Sequence, residues 1–252
     1  MSQVIPFVET TAKANREQPT CAVCVKKNDC ILSGLAGNDA SSVVNRVIYH
    51  AGDVVFEQGS SADQVMLISV GTVKTQIADA SGDLQVLDFC GPGETLGLAP
   101  VTDGVHACSA VAMDTVSVCQ LSRNAMFAGI KSRPEQVAVL VDLVGQAGSG
   151  QVEHLLAVGQ KAAEQRLAAF LLDRSDRLRR AGLRPEVVSL PMSRAELGSY
   201  LALAVETVSR LLKRLQDAGL IEVRRKQVRI LDEHGLRAVV DPAADLDHRG
   251  AA

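Results

Sequence analysis

Three cysteines fall within ten residues of this chain, in CAVCVKKNDC: Cys21, Cys24 and Cys30, spaced C-x2-C-x5-C. Spacers this short let the backbone fold back so that three sulfurs converge on one metal centre. A loop suits that geometry, because helical spacing would splay Cys24 from Cys30. Lys26 and Lys27 lie between the sulfurs and favour the thiolate, the form that binds metal. A tetrahedral thiolate site needs a fourth ligand, and Cys90, Cys108 and Cys119 are the candidates. Spacing alone does not separate zinc from iron and sulfide. Cys90 in VLDFCG and Cys108 in HACSAVA sit in apolar strand patterns, where cysteine is commonly a small buried hydrophobe.

A second group with chemistry to offer lies in MSRAELGSYLALAVETVSRLLKR, from Met192 to Arg214. Ser193 followed by Glu196 is a capping box that starts a short helix with Leu197, Tyr200 and Leu201 on one face. Leu203 and Ala204 break the period, and a second helix starts near Val205 with Val208, Leu211, Leu212 and Leu215 inward. Glu206, Ser209, Arg210 and Lys213 then share the outward face. These side chains can read base edges: arginine forks onto guanine, a carboxylate accepts from cytosine and serine does either. Charge supports that reading. Residues 161–230 hold 15 Lys and Arg against 8 Asp and Glu, a net of +7, while the whole chain is at -3. The positive excess thus sits where DNA phosphates would need it. Beyond Ala218-Gly219, LIEVRR and KQVRILD are two period-2 runs joined by Arg224, Arg225 and Lys226, a wing suited to gripping the backbone.

A chain of 252 residues suffices for one large domain or two small ones with a real core. With no Trp, 5 Phe and 2 Tyr, stacking of single-stranded bases on aromatics is disfavoured. The longest apolar candidate, AVLVDLVG, is broken by Asp142, so no membrane partner is expected, and the N-terminus has no signal pattern. The expected compartment is the cytoplasm, where six cysteines are thiols or metal ligands rather than disulfides. No nucleophile pairs with a base and no phosphate loop is present, so an enzyme is not expected. His50, His106, His154, His234 and His248 lack ligand spacing and read as ordinary histidines.

Residues 1–20 read as a loose arm. From about Arg46 to Leu121, short β-branched runs cut by Gly, Asp and Ser imply a sandwich or barrel. From Arg133, with Pro134 opening it, to about Gln160 the period is helical. A narrow seam follows Val137, Val141, Val144, Gly148, Gln151, Leu155 and Val158. Such a stripe pairs with another helix, here a second copy, and a two-fold dimer would set two reading helices about one DNA turn (~34 Å) apart. GQAGSGQ weakens the seam's middle, by up to ~1 kcal/mol for each Gly. QKAAEQRLAAFLLDRSDRLRRAG is a second amphipathic helix, and the Ala- and Asp-rich tail after Asp232 is expected to be largely disordered.

VETVSRLLKRL followed by GLIEVRRKQVRILD resembles the winged helix-turn-helix of the CRP/FNR family of bacterial transcription regulators, and Glu206, Ser209 and Arg210 match the E-x-x-S-R pattern of its FNR branch. The resemblance implies Arg210 on guanine, Glu206 on the opposite cytosine and Ser209 on a thymine, in palindromic half-sites similar to TTGAT. Two positions depart from the family, which usually has Gly at Ala202 and Thr at Ala204. AGDVVFEQGSSADQVMLISVGTVK resembles the β-roll, or jelly roll, of cyclic-nucleotide-binding domains. GPGETLGL keeps a glycine-rich turn with Glu94, but GVHACSAVA stands where an arginine for the cyclic phosphate belongs. A buried phosphate without a cation is costly, so no cyclic nucleotide is expected. The FNR cysteine pattern implies an oxygen-labile [4Fe-4S] cluster on Cys21, Cys24, Cys30 and Cys119, with RNA polymerase and a second copy as partners. In that branch an acidic residue near the position of Gln151 opposes dimerisation when the cluster is lost.

The expected fold is α+β, in five parts: an arm with the cysteine loop (1–45), the β-roll (46–130), a dimerisation helix (131–160), the winged helix-turn-helix (161–235) and a flexible tail (236–252). The rival expectation keeps the DNA-binding module. It gives the roll haem, with His106 as a ligand, NO or another small molecule, and the cysteines zinc or a thiol-sensing role.

Overall fold

A computed structural model describes residues 15–17, 30–36, 44–98 and 104–241 of the chain. Strand β1 (Asn15–Glu17) and helix α1 (Ile31–Ala36) precede eight strands shared between two sheets. These are β2 (Val44–Tyr49), β3 (Val54–Phe56), β4 (Gln64–Val70), β5 (Val73–Ala78), β6 (Leu84–Cys90), β7 (Thr95–Leu96), β8 (Ser109–Ala112) and β9 (Val116–Ser122). One sheet runs β1-β2-β9-β4-β7 and the other β3-β8-β5-β6, with every pairing antiparallel. Both sheets feed one core: Met66, Ile68, Val116 and Val118 meet Val73 and Ala112. This is the β-roll that the resemblance implied, within the sandwich or barrel to which the β-branched runs pointed.

Helices follow: α2 (Arg123–Ser132), α3 (Gln136–Gln160) and α4 (Ala163–Arg180). Ser122 caps α2 by accepting from the Ala125 amide. Pro134 lies in the turn before α3 rather than opening it, since Glu135 is the cap. At 1.5 Å per residue the 25 residues of α3 reach about 37 Å. Within it only Leu143 is buried; Val137, Val141, Val144, Gly148, Gln151 and Leu155 face solvent, with Val141 62% and Leu155 70% exposed. Leu143 packs beside Leu32 and Leu35 of α1, Met126 of α2 and Leu121 of β9. Gly129 lets α1 and α2 cross closely: a Cβ there would lie 2.2 Å from the Leu35 carbonyl oxygen.

The last part comprises β10 (Val187–Ser189), α5 (Arg194–Leu201), α6 (Val205–Asp217), β11 (Ile221–Arg224), β12 (Gln227–Ile230) and α7 (Glu233–Val240). Its sheet order is β10-β12-β11. Leu167, Leu171, Leu197, Leu215 and Ile221 form its core, which Val86 and Phe89 of β6 join from the roll.

Two further expectations fail. Within the supposed loose arm, residues 15–17 pair with β2, Arg16 opposite Val47. The supposed flexible tail contains α7, because Asp232 caps it at the Gly235 amide and Leu236 is fully buried on the module's core. Arg237 also pairs with Asp176 of α4, which draws the helix onto its neighbour. The parts of these two expectations that concern residues 1–14, 18–20 and 242–252 lie outside the described residues.

Candidate functional site

The outward face of α6 is built by its inward one. Val208, Leu211, Leu212 and Leu215 are buried, so the helical period turns Glu206, Ser209, Arg210 and Lys213 to solvent together. Among the described residues neither Arg210 nor Lys213 has an ion-pair partner in the chain, whereas Arg214 is drawn away to Glu164 at 3.2 Å. The turn from α5 into α6 is tight. Ala202 adopts the left-handed conformation (φ 52°), Leu203 N–H donates to the Gly198 carbonyl at 2.9 Å, and a Cβ on Gly198 would lie 2.5 Å from the Leu203 oxygen. Glycine is therefore required at 198. The Ser193–Glu196 capping box is formed in both directions, at 3.2 and 2.8 Å, while Ala204 offers α6 no side-chain cap. The wing turns at Arg225 (φ 52°) between β11 and β12, with Arg224 paired to Glu222 and Lys226 exposed. β10 borders β12 and was not foreseen.

Four of the six cysteines are described; Cys21 and Cys24 lie outside the described residues. Cys30 directly precedes α1 and Cys119 lies on β9, yet both pack at the margin of the one apolar cluster that holds Leu32, Leu35, Leu121 and Leu143. Both are only partly buried. Cys90 is different: it is 8% exposed, and burial, followed by Asp88 and Glu94, pushes its thiol well above the usual range. Burial also raises the Cys108 thiol. In both, burial disfavours the thiolate, the form that binds metal. Among the described residues no three metal-ligating side chains gather; Cys30 and Cys119 supply two thiols against one apolar cluster.

Residues 165–239 match the family described as a Crp-like helix-turn-helix domain, and residues 46–133 the cyclic nucleotide-binding domain. The transcriptional regulatory protein btr of Bordetella pertussis is 34% identical over 224 residues, 87% of this chain and 93% of that protein. The chain belongs to the CRP/FNR family of transcription regulators. Another relative of this CRP/FNR regulator is the anaerobic regulatory protein of Haemophilus influenzae, 33% identical over 183 residues, 73% of this chain and 71% of that protein. The solved structure of FixK2 from Bradyrhizobium japonicum superposes with a TM-score of 0.70 at 26% identity, over 78% of this chain and 97% of that one. The CRP/FNR family comprises DNA-binding regulators of transcription rather than enzymes.

In this CRP/FNR roll, Glu94 faces the DNA-binding module. Its carboxylate accepts from the Gly91 amide at 2.6 Å, from Arg174 at 3.5 Å and from Arg177 at 2.5 Å, both arginines on α4. His106 is 4% exposed with its ring flat on Phe56, 3.7 Å between centroids, as a core histidine would be. Burial, then Arg123, lowers its pKa. His154 of α3 stacks on Tyr200 of α5 at 4.0 Å and is likewise lowered, chiefly by burial. The sequence reading missed Arg174 and Arg177. Their signal was present: arginines at i and i+3 continue the buried stripe of Leu167, Phe170 and Leu171.

Proposed function

We propose that this CRP/FNR regulator is a redox-responsive homodimer that binds a palindrome of TTGAT-like half-sites through Arg210, Glu206, Ser209 and Lys213, with Cys21, Cys24, Cys30 and Cys119 holding a [4Fe-4S] cluster. RNA polymerase is the partner at promoters and the cytoplasm the site of action; no helix among the described residues is long and apolar enough to cross a membrane. Bound there, the cluster supplies an oxygen-labile inorganic centre. One observation carries the reading: the cluster of side chains that receives Cys30 and Cys119 also receives Leu143, the single buried residue of α3. Linking Cys30 to Cys119 fixes the start of α1. Leu32 and Leu35 then set Leu143, and Arg133 donates to the Gly34 carbonyl at 2.7 Å to hold α1 against the entry to α3. The exposed seam of α3 is what a second copy would cover, and a dimer engages both half-sites where a monomer engages one.

The test is iron and sulfide quantification on protein purified without air. Wild type and Cys90→Ser are expected to carry near-stoichiometric cluster with a broad absorbance near ~400 nm that aeration bleaches; Cys30→Ser and Cys119→Ser are expected to lose it. A full cluster in Cys119→Ser sinks the ligand set. A sharp Soret band or a colourless zinc protein sinks the cluster altogether.

A further inference from the structure

The DNA-binding module is joined covalently to α3 through Lys161 and Ala162, neither of them helical. Two residues in that state leave the module free to swing unless something else holds it, and besides the stacking of His154 on Tyr200 what holds it is the β5–β6 hairpin of the same chain. Phe89 of β6, wholly buried, inserts between Phe170 of α4 and Tyr200 of α5, edge-on to both at 6.3 and 5.5 Å. Gln85 donates to the Ser199 carbonyl at 2.9 Å, and Lys74 pairs with Glu196 at 2.8 Å. An ionic knot lies beside the plug. Arg177 reaches three carboxylates at once: Glu94 at 2.5 Å, Asp173 at 2.7 Å and Asp88 at 3.1 Å, with only 12% of its side chain exposed. Arg174, next to it, donates to the Phe89 carbonyl. Burial alone would make Arg177 easier to deprotonate; the three carboxylates reverse this and raise its pKa.

The knot spans the two units: Asp88 and Glu94 belong to the roll, Asp173 and Arg177 to α4. None of its members lies on the outward face of α6, so it leaves the base-reading side chains uncovered. A dimer can match two half-sites only if both reading helices are held at a fixed separation and tilt, because base contacts are directional while phosphate attraction is not. We infer that Arg177 is a positioning residue for DNA recognition: by tying α4 to Asp88 and Glu94 it fixes the module on the hairpin, and so fixes the half-site spacing that the dimer accepts. The inference rests on the DNA reading proposed above.

The experiment uses the full chain purified without air. Binding is measured by anisotropy to three duplexes: an inverted repeat of TTGAT half-sites, the same repeat lengthened by one base pair, and a scrambled sequence. Sedimentation in parallel reports the dimer. Wild type is expected to prefer the first duplex strongly. Arg177→Met is expected to lose roughly 10- to 100-fold on that duplex, to change by less than about twofold on the scrambled one, and to lose its discrimination against the lengthened spacer, with pairing unchanged. Arg177→Lys, which keeps the charge but not the fork, is expected to fall between. If Arg177→Met does not fold, Asp88→Asn combined with Glu94→Gln loosens the same knot from the roll side and carries the same expectation. Wild-type discrimination retained in the loosened variant overturns the inference. So does an equal loss on all three duplexes, the mark of a merely structural residue. A wild type with no preference among the duplexes overturns the DNA reading instead.

Discussion

The turn between α5 and α6 carries two unfavourable alanines, and replacing them is expected to stabilise the protein. Ala202 sits at φ 52° and ψ 51°, where its Cβ crowds the following carbonyl at a cost of about 1–2 kcal/mol. Ala202→Gly removes that strain but adds about 0.4–1 kcal/mol of unfolded-chain entropy, leaving a net gain of roughly 0.5–1 kcal/mol. Ala204 is the N-cap of α6, with extended angles (φ -64°, ψ 149°) suited to threonine, but no side-chain acceptor for the first-turn amides. Ala204→Thr supplies one, worth about 1 kcal/mol. Both positions are exposed, so neither replacement meets a packed neighbour. Together they are expected to contribute roughly 1.5–2 kcal/mol. At about 2–4 °C per kcal/mol for a chain of this size, the melting temperature rises by roughly 3–8 °C. Thermal melts by circular dichroism, at one fixed protein concentration because pairing shifts the midpoint, read it for each single variant and the double. A lower midpoint for Ala202→Gly, or none gained from Ala204→Thr, would refute the account of the turn.

Three further outcomes are expected. Arg210→Ala should cost about 1–3 kcal/mol on a duplex with guanine at the contacted position and far less when that guanine is replaced; equal losses on both duplexes would deny base readout. Leu155→Glu places a charge on a residue that buries little in its own chain, so the variant should sediment as a folded monomer, and persistent pairing would exclude the α3 seam. For His106 and His154 the folded-state pKa lies below the ordinary ~6.5, so the unfolded chain binds more protons. Stability is then complete above about pH 6.5 and falls as pH drops through that value toward the folded pKa values. Urea midpoints at neutral and mildly acidic pH should differ less in His154→Gln than in wild type, and an unchanged difference would remove His154 from the account.

The parts of the molecule written in local periodicity were legible in the sequence. Ser193 and Glu196 marked the start of α5, the interruption at Leu203 and Ala204 marked the turn, and alternation marked the wing. Glu206, Ser209, Arg210 and Lys213 could be found because amphipathicity assigns a face without knowledge of the partner. Elements held by distant contacts could not be read. α1 and α2 are short helices of which the sequence reading gave no sign, and Gly129 of α2 is what lets the two cross. β10 is three residues whose ladder lies some forty residues on, in β12. The tail looked too poor in apolar residues to fold, yet one buried leucine, a cap and Arg237 across from Asp176 suffice for α7. Arg177 is divided: its stripe and its i,i+4 partner Asp173 are local to α4, while Asp88 of β6 and Glu94 of the turn after it reach it only through the fold.

A rod about 37 Å long that buries a single leucine and leaves Val141 and Leu155 open would, with a second copy covering it as proposed, make abundance itself a control variable. Association is second order, so while most chains are single the population of pairs rises with the square of the number of copies. Halving synthesis would thus quarter the supply of pairs without touching any sensor. A cell that dilutes this protein by growth, or trims it by proteolysis, would change the supply of pairs by that route alone.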